Sequence, residues 1–86
     1  MATFPIISNF QGDVVLQLVL VDIEHTMDEV AAEAGHHSVG RRVAPQPSKV
    51  IRVRRQGSDA LYPRQAKLSE TDIKPMDALE FIFCDQ

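Results

Sequence analysis

Along the chain, apolar residues recur first at every second position and then at helical spacing, and the switch marks out the elements. Residues 4–10 (FPIISNF) are rich in aromatic and β-branched types and predict a short strand. QGD at 11–13 is turn chemistry, with Gly12 able to take a positive φ. VVLQLVLVD at 14–22 predicts a second strand, so the two read as a hairpin. On it Val14, Leu16, Leu18 and Leu20 share one face, while Val15, Val19 and Val21, interrupted by Gln17, form the other. A strand with one side in water alternates apolar with polar residues. Here both rows are apolar, which predicts a cover other than water for the second.

The period then changes. In EHTMDEVAAEAGHHSVG, Thr26 and Glu29 have the spacing of a capping box, and Asp28 and Glu29 suit the positive end of a helix dipole. Met27, Val30, Ala31 and Ala34 form the face that packs on a sheet. Gly35 weakens the interior, so the helix should stop between His36 and Gly40, with Gly40 as a left-handed C-terminal cap and Pro45 and Pro47 barring continuation. KVIRVRRQGSDALYP reads as a second hairpin. Ile51 and Val53 point inward, Arg52 and Arg54 outward, residues 57–59 make the turn, and 60–62 form a short return. LSETDIKPMD predicts a compact loop with a one-turn cap from Ser69 to Asp72, ended by Pro75. Residues 78–83 (ALEFIF) alternate again, Leu79, Phe81 and Phe83 opposing Glu80 and Ile82.

This order fits one α+β domain over residues 1–86. One main helix crosses one face of a mixed sheet of four to five strands, with the first and last strands central and adjacent. That is the β-grasp, or ubiquitin-like, arrangement, and the run LSETDIKPMDALEFIF resembles the closing segment of ubiquitin. Such a likeness bears on fold, not function.

Composition adds limits. The 86 residues allow one core and little room for a substrate cavity, and 44% apolar with 24% charged residues is ordinary for a soluble domain. Cys84 stands alone, which excludes an internal disulfide framework and a cysteine-rich zinc knuckle. No secretory signal is visible, and the longest apolar run is too short to span a bilayer, so a cytoplasmic protein without membrane partners is expected. The net charge of −3 is unevenly laid out. Residues 1–40 hold six acids and no Lys or Arg, 41–67 hold eight bases against Asp59, and 68–86 hold five acids against Lys74. Either the folded surface is polarised so as to orient a partner, or the segments neutralise one another.

Candidate chemistry is sparse. His36 and His37 are adjacent, so on a helix they point about 100° apart and cannot share a metal, for which a spacing of three or four is needed. Histidines in a last helical turn are expected from the dipole alone. The arginines lack interleaved aromatics, since Phe4, Phe10, Phe81 and Phe83 lie on core-forming strands, and with an acidic total no nucleic-acid partner is expected. Cys84 has an acidic neighbour and no activating base. No nucleophile elbow, phosphate loop or dinucleotide fingerprint occurs, and the ending FCDQ is not the diglycine tail of a conjugated modifier. Arginine forks remain well suited to protein interfaces.

Several tracts, in this order and spacing, make the chain resemble one family: FP at Phe4-Pro5, QLVLVD at 17–22, TMDEVA at 26–31, RRVAPQP at 41–47, IRVRR at 51–55 and LYPR at 61–64. The family is the γ (small) subunit of the hydroxylase in bacterial toluene and related aromatic multicomponent monooxygenases. Gly40 departs from the asparagine usual before the two arginines, and Tyr62 from phenylalanine. The resemblance implies a non-catalytic subunit of an (αβγ)₂ hydroxylase whose carboxylate-bridged diiron centre lies in the α subunit. FAD and iron–sulfur clusters belong to other components, among them a Rieske-type ferredoxin, and a small effector protein acts on the same complex. The system as a whole spends NADH and O₂ to hydroxylate aromatic hydrocarbons. This chain then carries no catalytic, cofactor-binding or metal-binding residue of its own, and no Glu-x-x-His pair occurs in it. The residues expected to dock against the α and β subunits are Arg41, Arg42, Arg52, Arg54, Val15, Val19 and Val21. A free-standing ubiquitin-like binding module, or the γ subunit of an alkene or isoprene monooxygenase, are the alternatives.

Overall fold

A computed structural model describes residues 3–85, so the last residue of the FCDQ ending lies outside the described residues. Strand β1 (Thr3–Phe10) turns back into β2 (Gln17–Asp22), helix α1 (Met27–Ser38) follows, then β3 (Val50–Arg55), a 3-10 turn (Leu68–Glu70) and β4 (Ala78–Cys84). The sheet order is β2-β1-β4-β3, with β1 and β4 parallel and both outer pairs antiparallel. The first and last strands are thus central and adjacent, as the β-grasp expectation requires.

Alternation builds the core. Ile6 and Phe10 of β1, Val19 and Val21 of β2, Val53 of β3 and Leu79 and Phe81 of β4 point under α1, which presents Met27, Val30, Ala31 and Ala34. Phe10 stacks on Phe81 at 6.0 Å and meets the edge of Phe83 at 5.5 Å, which locks the two central strands together. Leu68 and Ile73 plug the open end.

The helix starts as its sequence demands. The Glu29 amide donates to Thr26 Oγ1 (3.3 Å) and the Thr26 amide to Glu29 Oε1 (2.9 Å), a complete capping box. It runs through Gly35 to Ser38, and since a Cβ on Gly35 would come within 3.1 Å of Ile51 Cδ1, the glycine lets α1 approach β3 closely. Gly40, one residue past the cap Val39, has φ +79. Among the described residues no helix is long and apolar enough to cross a membrane.

Three local expectations need correction. β2 begins at Gln17, not residue 14, because the Val15 amide turns back onto Asp13 Oδ1 (3.1 Å) and the chain leaves the ladder. Residues 60–62 do not form a return strand; one bridge, Arg54 to Leu61, leaves the sheet at four strands. The 3-10 turn is capped by Glu70 reaching back to the Lys67 amide (2.9 Å), while Asp72 accepts from the Tyr62 hydroxyl (3.0 Å).

Candidate docking surface

The sheet face turned away from α1 carries the largest exposed apolar side chains of its strands. Strand pleating sends Pro5 and Ile7 of β1 and Leu18 and Leu20 of β2 outward, and the register sets Pro5 beside Leu20 and Ile7 beside Leu18. Ala78 adjoins Ile7 on β4. Leu18 and Leu20 are each 58% exposed, Leu16 60%, and Met76, with φ +70 and its amide on Pro5 O, 56%. The face becomes polar across β4 and β3. There Asn9 and Glu80 pair in register, and the Arg54 guanidinium sits 2.7 Å from Glu80.

Val19 and Val21, expected to dock, are 1% and 4% exposed beneath α1. The outward row is the other one, Leu18 and Leu20 of β2 with Leu16 just before the strand, and none of these three is among the residues that the sequence marks for docking. Hydrophobicity cannot choose between two apolar rows, and Gln17, the one polar residue, misleads. It belongs to the inward row but stands half-buried at the rim, where the strand begins. Val15 is 42% exposed in the loop before β2.

The arginines are largely engaged with this chain itself. Arg42 Nε donates to Asp13 Oδ1 (2.8 Å) and its Nη2 to the His37 carbonyl (2.9 Å), while the Ser38 hydroxyl donates to Asp13 Oδ2 (2.8 Å). The Asp13 side chain is shielded although the residue as a whole is half-buried, and the hydrogen bond from Arg42 holds its carboxyl down at about 2. This clamp ties the β1–β2 loop to the end of α1. Arg41 donates to the His36 carbonyl (3.1 Å) and remains exposed; Arg52 donates to the Tyr62 carbonyl (3.0 Å). Arg55 bridges Asp72 and Asp77, which hydrogen bonding keeps below the usual carboxylate range, and burial pushes Tyr62 up. Arg64 pairs with Asp28, Lys67 with Glu24 and Lys49 with Asp85. The basic middle segment therefore closes on the acidic ends, and neutralisation accounts for most of the charge layout.

His36 and His37 stand edge to face at 5.4 Å, and His37 Nε2 lies 3.6 Å from Glu33. Among the described residues no three His, Cys, Asp or Glu side chains converge to hold a metal ion, and Cys84 is half-buried.

A β-grasp domain with an apolar outer sheet face and internally neutralised charge is the class these features define. Residues 3–83 match the family described as toluene-4-monooxygenase system protein B (TmoB), and the chain belongs to that family. It is 39% identical over 83 residues to the toluene-4-monooxygenase hydroxylase component subunit gamma of Ectopseudomonas mendocina, covering 96% of this chain and 98% of that one. It is 46% identical over 48 residues to the alkene monooxygenase oxygenase component subunit gamma of Xanthobacter autotrophicus (strain ATCC BAA-1158 / Py2), covering 56% and 54%. A chain of the solved toluene 4-monooxygenase HD complex with the inhibitor 4-bromobenzoate superposes with a TM-score of 0.91 at 38% identity, covering 95% of this chain and 99% of that chain.

Proposed function

We propose that this chain is the γ subunit of the hydroxylase component of a toluene-type multicomponent monooxygenase. The carrying observation is a correspondence in both fold and sequence along almost the whole length of a toluene 4-monooxygenase chain. In this reading the protein is a cytoplasmic brace in an (αβγ)₂ assembly. The diiron centre sits in the α subunit, and the reductant passes through FAD and iron–sulfur components, including a Rieske-type ferredoxin, under the control of an effector protein. The chain brings no reacting group. It contributes a rigid sheet whose outer apolar row, Leu18 and Leu20 with Leu16 just before the strand, is removed from water by a larger subunit, with Val15 beside the same contact and Arg41 exposed at the end of α1 as a separate docking candidate.

The exposed row favours a permanent subunit over a free-standing module, because an uncovered apolar sheet face invites aggregation. The alkene-monooxygenase relative supports a second reading of substrate class, in which the same brace serves an alkene-oxidising complex. Affinity purification of the tagged chain from its native cell separates the possibilities. Recovery in equal stoichiometry with two larger chains, iron included, is expected, and turnover of that assembly with toluene against propene assigns the substrate class. Recovery of the chain alone, or with varying partners, contradicts the subunit reading.

A further inference from the structure

The backbone of β2 presents a second surface, distinct from its side chains. The Pro5 carbonyl accepts from Met76 and the Ile7 amide donates to Asp77 O, so both residues direct their main-chain groups toward β4. Phe4, Ile6 and Ser8 must then bond β2, through Val21, Val19 and Gln17. Leu18 and Leu20, opposite Ile7 and Pro5, consequently point their N–H and C=O groups away from the sheet. Among the described residues those groups receive no backbone partner. β2 is an edge strand in unbroken register from Gln17 to Asp22, and it lacks the lysine, proline or bulge that blunts free edges.

Beside the far end of this edge lies a cleft of about 330 Å³ lined by Thr3, Leu20, Val21, Asp22, His25 and Glu33. Its charged lining is Asp22 and Glu33, and His25 Nδ1 is buried there without a hydrogen-bond partner. A strand added to β2 would lay one row of side chains along Leu18 and Leu20 and the alternate row toward α1, into this acidic cleft. The chemistry that fits is an extended segment, apolar on one row and cationic at one position on the other.

We infer that the open edge of β2 pairs with an extended segment of a larger hydroxylase subunit, whose Lys or Arg enters the cleft between Asp22 and Glu33. The inference rests on the subunit reading above and names the contact. Backbone pairing supplies the affinity, and the acidic cleft selects the register of the incoming strand.

Hydrogen exchange at the Leu18 and Leu20 amides, in the chain alone and in the complex reconstituted with its larger subunits, tests it. Both amides should exchange freely in the isolated chain and become protected in the complex. Leu20→Pro removes an outward donor and spares the β1 ladder, so it should weaken assembly about tenfold or more while Leu20→Ala, which keeps the donor, loses less. Glu33→Lys should also weaken assembly, with the melting curve of the isolated chain nearly unchanged. If the wild-type chain assembles but both amides stay unprotected and Leu20→Pro assembles normally, the edge contact is refuted while the subunit reading stands. If the wild-type chain does not assemble with those subunits, both fall together. Protection that appears in the isolated chain as its concentration rises would assign the edge to a second copy and overturn the inference.

Discussion

Asp13 does the work of several residues. Its carboxylate accepts from Arg42, Ser38 and the Val15 amide, and so fixes both where β2 begins and how the chain leaves α1. Its carboxyl is lowered to about 2 from an ordinary value of 3.8, chiefly by Arg42. A depressed folded-state value means that the ionised clamp stabilises fully above about pH 4, and that this contribution is lost as pH falls through about 2. Asp13→Asn should therefore lower the melting temperature at neutral pH and flatten the acid limb of the stability curve between about pH 4 and pH 2. Thermal melts across that range check both. Nothing in the sequence marks Asp13 apart from the other acids of residues 1–40, because its side-chain partners Ser38 and Arg42 lie 25 and 29 residues away. For the same reason the clamp that Arg42 forms with Asp13 is not visible in the sequence, where Arg42 reads only as a docking residue.

Local signals were legible at the level of elements. Thr26 and Glu29 form the predicted box, and Thr26→Ala should cost about 1 kcal/mol in chemical denaturation. Gly35 could be read only as a helix weakness, since the approach of Ile51 that uses it is a tertiary fact. Gly35→Ala gains helix propensity and presses on the mobile end of a half-buried side chain, so its stability should stay within about 1 kcal/mol of the wild type, whereas Gly35→Leu should cost about 1–3 kcal/mol by overpacking. β2 was legible as a strand but not in its parity. Val19 and Val21 are buried because register places them beside Ile6 and Phe4 under α1, and that register comes from the loop held by Asp13. Residues 60–62 had the composition of a strand and make one bridge, Arg54 to Leu61, with the Tyr62 amide donating to Val53 O (2.9 Å).

Across the whole molecule, the order of elements was enough to reach the β-grasp, since a hairpin, a crossing helix and a closing strand leave few ways to bury Phe10 and Phe81 together. The charge layout had two readings in sequence, and the fold resolves it toward internal pairing: Arg42, Lys49, Arg54, Arg55, Arg64 and Lys67 each meet an acid of this chain. What the pairing leaves for a partner is chiefly apolar. The docking claim therefore stands on Leu18 and Leu20, and reversing the chemistry of that row tests it most directly. Leu18→Asp/Leu20→Asp should fold alone, with circular dichroism and a melting curve close to the wild type, and should fail to co-purify with the larger hydroxylase subunits. A double variant that still assembles in full stoichiometry would contradict the account.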